Sequence, residues 1–515
     1  MRAAWRVADV RAAERALLAR LPAGTLMARA AAGLAARIAA LLAQRYGQRY
    51  GRRVVLLVGS GDNGGDALYA GALLARRQVR VTALLLVPDR AHPGGLAALR
   101  AAAGRVMSTV DGGGAGAGLS LSTVDDGWPG VGPVDLVVDG ITGIGGTGPL
   151  RPAAARLMAA LSAVPATDGG RPAVVAVDLP SGVQADTGEV PGAAVTADVT
   201  VTFGCLKPGL LVGAGARHAG LVDLVDIGLG GYLRGTPVVR VADAGDVAAW
   251  WPRPEPDSDK YTRGVVGLAT GSPGYPGAAV LSVAGALAGP AGLVRYTGAA
   301  TGAVLAAHPS VIASARVGDT GRVQAWVAGC GLGTDERASA TLRAVLAAPV
   351  PVCLDADALT LLVDGGFAAV LRGRDAPVVI TPHDREYARL AGRDPGPDRV
   401  DAAAGLAALM DATVLLKGDR TVVAGPDGQV WVNPTGTADL ATGGTGDVLA
   451  GLVGALLAAG LGPVPAAVAA AFVHGLAGRT AAAGGPVTAP YVAGALRPVL
   501  ARLLAGDRHG DRPVG

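Results

Sequence analysis

Aromatic residues are scarce, at 3% of 515, and nowhere do they interleave with basic residues. That removes the stacking platforms by which many chains hold nucleic-acid bases. Cysteine is scarce as well. Cys205, Cys330 and Cys353 lie far apart, form no CxxC pair and cannot make a disulfide framework, so a reducing cytoplasm is expected. The net charge of +4 is spread along the chain without a run of five or six like charges, and no nucleic-acid partner is expected. The first 50 residues carry Arg throughout and lack the apolar core and small-residue cleavage site of a signal peptide. One long uncharged run, 448–473, is interrupted by Gly462-Pro463-Val464-Pro465. It reads as two buried helices around a turn, and no membrane association is expected.

What is present is Ala, Val, Leu and Gly: half of all residues are hydrophobic. The 80 Gly and 34 Pro fall short of the roughly 25–30% that marks low complexity. A chain of this length exceeds one hydrophobic core, so two or more domains are expected.

Short β-rich runs alternate with helical stretches, the pattern of α/β domains around a mainly parallel sheet. Runs at 54–58, 134–138, 174–177 and 199–203 stop at Gly59, Asp139, Asp178 and Gly204. A second series at 265–269, 325–328, 352–354, 378–380 and 414–416 stops at Thr270, Gly329, Asp355, Thr381 and Lys417. In open α/β sheets, ligands bind at such carboxyl ends of strands. No residue-level repeat relates the two series, so two different domains are expected. Pro and Gly punctuate the stretch between them. The expected division is 1–230, a linker at 231–256, and 257–510. The loops 111–118 and 166–172 read as turns without chemistry.

In the first domain, Gly59-Ser60-Gly61-Asp62-Asn63-Gly64-Gly65-Asp66 follows a strand and precedes a helix expected at 68–76. Glycines there let a backbone approach a ligand, and the helix N-terminus favours an anion. A tight turn with an Asp cap has the same spacing. The segment is neither GxGxxG nor a Walker A loop. Asp139 precedes a Gly-rich loop containing Gly143-Ile144-Gly145-Gly146-Thr147-Gly148-Pro149, and Asp178 opens Asp178-Leu179-Pro180-Ser181-Gly182. Oxygen-only donor sets of this kind suit hard cations.

These segments, with Thr25-Leu26-Met27 and the run 202–209, resemble the NAD(P)H-hydrate epimerase family over residues 1–230. The resemblance implies a Rossmann-like three-layer domain that binds potassium through Asn63, Asp139 and Ser181. It implies that Asp62, Asn63, Gly64, Gly65, Asp66, residues 143–149 and Asp178 line the substrate. Asp62 stands where the family usually has Asn, and Ala67 where it usually has Gly. The implied chemistry is inversion at the hydrated carbon beside the nicotinamide ring nitrogen, with Asp178 as the acid–base group.

In the second domain, Asn433-Pro434-Thr435-Gly436 is followed by Thr442-Gly443-Gly444-Thr445-Gly446-Asp447 at the start of a long apolar helix. Backbone N–H groups at such a terminus form an anion hole for a transferring phosphoryl group, and an adjacent Asp takes a proton from an attacking hydroxyl. This resembles the ribokinase-like superfamily. Lys417-Gly418-Asp419-Arg420-Thr421, Thr381-Pro382-His383 with Glu386, Ala279, Gly331, Gly333 and Asp355-Ala356-Asp357 narrow the resemblance to the NAD(P)H-hydrate dehydratases. It implies a ribokinase-like α/β domain with Asp447 catalytic. Ala279, Gly331, Gly333, His383 and Asp447 would face the substrate. Lys417, Gly418, Asp419, Arg420, Thr421, Gly444, Thr445 and Gly446 would bind the nucleotide. Cys330 replaces a usual Pro, and Asp259 stands where members commonly have His.

The combined expectation is a cytoplasmic homo-oligomer that epimerises (R)- to (S)-NAD(P)HX and dehydrates the (S) form. It would use ADP as co-substrate, with magnesium in the second domain and potassium in the first. The rivals are a small-molecule kinase, since Gly444–Asp447 is shared with kinases, and a front domain that is only a binding module.

Overall fold

The computed structural model describes residues 2–110, 118–120 and 133–506. Most of the 111–118 loop, and residues 507–510 at the expected end of the second domain, lie outside the described residues. Two compact units, Ala3–Val238 and Val239 onward, divide the chain, with Arg2 grouped with the second.

The first unit holds eight parallel strands. Their spatial order is Gly118–Ser120, Arg105–Val110, Arg80–Leu85, Arg53–Val58, Leu136–Gly140, Ala173–Val177, Val199–Phe203 and Leu221–Val225. Successive side chains of a strand point to opposite faces. Val54, Leu56 and Val58 therefore enter one core with helices Val7–Leu18, Thr25–Tyr46 and Asp62–Ala75. Val55 and Leu57 join helix Pro152–Ala163 on the other face. This is the expected three-layer α/β arrangement. Among the described residues, Thr25–Tyr46 is the one helix long and apolar enough to cross a membrane. It buries Leu34, Ala35, Ile38 and Leu42 in the core of this unit. Strand order reverses between Arg53–Val58 and Leu136–Gly140, which opens a crevice at their carboxyl ends.

Ten strands of the second unit lie in the order Val239–Val241, Val430–Val432, Val422–Ala424, Thr413–Leu416, Val378–Ile380, Val352–Leu354, Ala325–Ala328, Val265–Ala269, Leu293–Thr297 and Ile312–Ser314. Only Val422–Ala424 runs antiparallel to its neighbours. The reversal of order here falls between Val265–Ala269 and Ala325–Ala328.

The linker expected at 231–256 is corrected by this sheet. Val239–Val241 pairs in parallel with Val430–Val432, placing Arg240 opposite Trp431. Helix Ala244–Trp250 follows, closed by a capping box between Asp243 and Asp246. Trp250 then packs edge-on to Trp431 at 5.4 Å. Pro and Gly mark turns, and turns occur inside domains as readily as between them; the full burial of Val239, Val241 and Val247 settles which applies.

The uncharged run 448–473 folds as parts of two buried helices, Thr445–Ala458 and Pro463–Ala482. The first crosses Pro276–Ala288 at backbone contact. A Cβ at Gly451 would stand 1.9 Å from the Ser282 carbonyl oxygen, and one at Gly285 would stand 2.0 Å from that of Val448. This crossing aims the helix N-terminus. Gly451→Ala is expected to destabilise the chain by about 1–3 kcal/mol through overpacking. Alanine at Gly494, which has open space on an exposed helix face, is expected to leave stability equal or higher. Thermal unfolding of the two variants checks this, and an unchanged midpoint for Gly451→Ala would refute it.

Candidate active sites

In the first unit a cleft of about 1270 Å³ opens at the crevice where strand order reverses. Asp62, Asn63, Asp66, Gly143, Ile144, Gly145, Gly146 and Asp178 line it. Thr147, Gly148 and Pro149 lie beyond the lining. Gly64 and Gly65 are buried. The helix begins at Asp62, not near 68, so both glycines sit inside its first turns. A Cβ at Gly64 would stand 2.5 Å from the Gly59 carbonyl oxygen, and one at Gly65 would press on Met27 and His92 at 3.0–3.1 Å. They let the helix pack closely at its N-terminal turn.

Asp178 sits just past strand Ala173–Val177 with φ +64, a conformation Asp tolerates better than most residues. Its Oδ1 accepts from Lys207 Nζ at 2.6 Å and from Thr202 Oγ1 at 3.0 Å. Its Oδ2 accepts nothing among the described residues. Lys207 is fully buried and gives its remaining protons to Thr202 Oγ1 at 2.9 Å and the Phe203 carbonyl at 3.0 Å. The ammonium is thus a clamp on Asp178, with no proton left for a ligand. Sequence reasoning did not single out Lys207 as a site residue, although a Lys amid Phe203-Gly204-Cys205-Leu206 and Pro208-Gly209-Leu210-Leu211 is a buried-charge signal. Glu14, which also lines the cleft, carried no signal at all.

Asp139 and Ser181 meet directly. Ser181 donates its hydroxyl to Asp139 Oδ1 at 2.7 Å and its N–H to Oδ2 at 2.8 Å. The hydroxyl also accepts from the Thr142 N–H at 2.9 Å. Asn63 faces this turn, with Oδ1 against Gly143 and a buried Nδ2 that has no partner among the described residues. Asp139 is wholly buried, and burial pushes its carboxyl up to about 6 against the hydrogen bonds from Ser181 and Ile141. No cationic side chain reaches it among the described residues. An all-oxygen donor set around an uncompensated buried carboxylate fits a hard monovalent cation.

In the second unit, the ends of four strands converge on the N-terminus of helix Thr445–Ala458. Gly444 caps this helix with φ +87, and Asp447 lies in its first turn. Cys330, Asp355 and Asp447 each place a ligand-type atom within 4.8 Å of the others. Burial, then the Asp355 carboxylate, push Asp447 up to about 7 despite a hydrogen bond from Cys330 and the charge of Lys417. The two carboxylates fit a hard divalent cation, for which the Cys330 thiol is no ligand.

Lys417 lies deeper than a plain nucleotide contact. Its Nζ is 2.6 Å from Asp355 Oδ1 and 3.7 Å from Glu386 Oε2. Burial alone would lower its pKa, but these two carboxylates outweigh it and raise it. Gly446 packs against both Lys417 Nζ and Asp355 Oδ2, so the ammonium still faces the helix start. The loop after Lys417 folds back on the 433–436 segment. Arg420 donates to the Pro434 carbonyl at 2.8 Å, Thr421 to the Gly418 carbonyl at 3.0 Å, and Asp419 packs under Gly436. Asn433 and Thr435 are in turn tied to the carbonyls of Ala471 and Phe472.

His383 caps helix Asp384–Ala391, accepting from the Arg385 and Glu386 N–H groups through Nδ1. Its ring is half exposed, with Nε2 3.5 Å from Glu386. Gly331 and Gly333 lie in the loop past Ala325–Ala328, where Gly333 donates to Asp357 at 2.8 Å. Ala279 is fully buried beneath Gly271 rather than facing open space.

Comparison with known proteins bears on both units. Residues 266–494 match the family described as NAD(P)H-hydrate dehydratase, and residues 23–209 match that described as YjeF-related protein N-terminus. The bifunctional NAD(P)H-hydrate repair enzyme Nnr of Mycobacterium tuberculosis is 49% identical over 421 residues, 82% of each chain. Its namesake in Corynebacterium glutamicum is 36% identical over 72% of this chain and 71% of its own. The bifunctional NAD(P)H-hydrate repair enzyme of Leishmania major is 34% identical over 71% and 70%. Among solved structures, the ADP/ATP-dependent NAD(P)H-hydrate dehydratase from Bacillus subtilis, co-crystallised with ATP and Mg2+, is 29% identical. It covers 52% of this chain and 99% of its own, with a TM-score of 0.47. With one front-family match, one dehydratase match and relatives aligned across both, the chain belongs to the family of bifunctional NAD(P)H-hydrate repair enzymes.

Proposed function

We propose that the first unit interconverts (R)- and (S)-NAD(P)HX and that the second dehydrates the (S) form to NAD(P)H with ADP, releasing AMP and phosphate. The observation that carries this reading is that each unit sets a carboxylate, Asp178 or Asp447, at the carboxyl end of its own sheet beside a ligand-sized or anion-binding opening.

In the first unit, Asp178 presents its free Oδ2 to the cleft while Lys207 holds Oδ1. Asp62, Asn63 and residues 143–146 position the hydrated ring and its ribose phosphates. Asn63, Asp139 and Ser181 would hold potassium, whose charge organises the turn carrying Thr142 and Gly143.

In the second unit, the N–H groups of Gly444, Thr445 and Gly446 face the transferring phosphoryl group. Asp447 takes the proton of the substrate hydroxyl as the phosphoryl group passes to that oxygen from ADP. Phosphate then leaves C6 and a proton leaves C5, which restores the ring double bond. Asp355 would hold magnesium beside Asp447, which stays free to act as the base, and the ion would screen charge on the phosphoryl oxygens. Lys417 neutralises Asp355 and Glu386 beside that path, and His383 contacts the dinucleotide with the Nε2 edge of its ring. The same reading has the chain working in the cytoplasm as a homo-oligomer, on free cofactor, without nucleic acid or membrane.

The test follows absorbance of the reduced nicotinamide in a mixture of (R)- and (S)-hydrates with magnesium, potassium and ADP. Full recovery is expected. With potassium replaced by tetramethylammonium, fast recovery is expected to stop near the (S) fraction. A stop there with potassium present sinks the epimerase reading. A stable phosphorylated product without recovery points instead to a kinase.

A further inference from the structure

Inversion at a carbon that bears a hydroxyl and a ring nitrogen needs a proton taken at one atom and a proton given at another. Asp178, ion-paired to Lys207, is an acceptor without a proton to give. We propose that Asp66 is the proton donor that works opposite Asp178, an inference that rests on the epimerase activity proposed for the first unit.

Asp66 lies one turn into helix Asp62–Ala75 and lines the same cleft as Asp178. It is only 9% exposed, and its Oδ1 is buried with no hydrogen-bond partner among the described residues. The charged groups that bear on it are all negative: Asp178 from the strand end, Asp62 from its own helix and Glu14 from helix Val7–Leu18. Lys207 is spent on Asp178, Thr202 and Phe203. Arg11 and His92 also line the cleft, and neither pairs with Asp66. His92 uses Nδ1 to accept from the Gly95 N–H. Burial first, then these three carboxylates, push Asp66 well above the usual carboxylate range, which favours its protonated form. Two acids in one cleft are thereby separated into a donor and an acceptor by their surroundings, one unpaired and one ion-paired.

The step balances as ring opening and closure. Asp178 Oδ2 takes the hydroxyl proton, the C6–N1 bond breaks with its electron pair going to N1, and C6 becomes a carbonyl carbon. Asp66 delivers its proton to N1. Rotation about C5–C6 turns the other carbonyl face to N1. In the reverse steps N1 returns its proton to Asp66 as it attacks C6, and Asp178 returns its proton to the oxygen. Departure of the hydroxyl as water and its return from the opposite face would need the same donor at the oxygen.

The experiment uses the full chain and an (R)-enriched hydrate mixture, and it requires first that the wild type epimerises. If it does not, the domain reading fails, and the donor assignment is not what failed. Given wild-type activity, Asp66→Asn is expected to lower kcat for epimerisation by about 10²–10⁴-fold with KM little changed. Dehydration of the (S) form by the same sample continues and reports an intact second unit, and an unchanged thermal unfolding profile of the full chain reports that the first unit still folds. The wild-type rate is expected to fall on the alkaline side as Asp66 loses its proton. Asp66→Glu is expected to keep part of the activity with that alkaline limb displaced, an effect a merely structural role would not produce. Epimerisation by Asp66→Asn within about threefold of wild type overturns the proposal. So does an alkaline limb that is unmoved in Asp66→Glu but displaced in Glu14→Gln.

Discussion

Asp447→Asn is expected to reduce kcat for dehydration by about 10²–10⁴-fold, while epimerisation by the first unit continues at its normal rate. The amide keeps the size of the carboxylate and its place in the first turn of Thr445–Ala458, so the cap at Gly444 and the crossing with Pro276–Ala288 persist. It loses the ability to take a proton. The wild type carries a second signature of the same role. A base works only when ionised, and Asp447 is pushed up to about 7 by burial and by Asp355. The fraction available therefore falls about tenfold for each unit of pH below that value and levels off above it. Magnesium held beside Asp447 favours its ionised form, so for dehydration kcat/KM, which reports the free enzyme, is expected to show an acid limb at or below pH 7, measured as recovery of reduced nicotinamide from the pure (S)-hydrate. A flat profile between pH 5.5 and 8 together with an active Asp447→Asn would assign the proton transfer elsewhere, with Asp355 the next residue to test.

Lys207→Met is expected to destabilise the first unit by about 3–5 kcal/mol and to remove epimerase activity. The methionine fills nearly the same volume, so the loss is chiefly electrostatic. Asp178 would keep its place near the cleft floor with Thr202 as its remaining strong donor and no compensating charge. The double variant Lys207→Met with Asp178→Asn removes both charges and is expected to recover most of the lost stability, since replacing both partners of a buried pair is often close to neutral. It is not expected to recover any epimerisation. Thermal unfolding of the full chain and epimerase assays on the three proteins decide the matter. Equal destabilisation in the single and double variants would mean that Lys207 acts through packing and not as the partner of Asp178.

Strand ends were readable from local pattern. Nine runs of β-rich residues, each closed by Gly, Asp, Thr or Lys, lie within a residue or two of observed strands. The cause is physical: a buried parallel strand must be apolar on both faces, and it ends where the chain turns back over the sheet. The same locality explains Asp139 and Asp178, which sit at such ends, and Asp447, which lies in the first turn of a helix opened by a Gly-rich segment. The boundary near residue 230 was legible only as a composition change. Whether Val239 to Trp250 links or belongs depends on pairing with Val430–Val432, roughly 190 positions later, and no local signal carries that.

Composition and spacing in this chain were enough to indicate two α/β domains and the strand ends where polar side chains gather, because both are properties of contiguous residues; the segments expected to meet phosphate or substrate came from the family resemblance. The partners of those residues were not so determined. Lys207 finds Asp178 across 29 positions, Lys417 finds Asp355 across 62, and Glu14 meets Asp66 only because a helix from the N-terminus packs over the same cleft. The packing role of Gly64 and Gly65 was hidden for a related reason, since most of the neighbours that crowd them come from other elements. Whether a carboxylate gives or takes a proton is set by desolvation and by charges a few ångströms away, and only the folded chain brings those charges together.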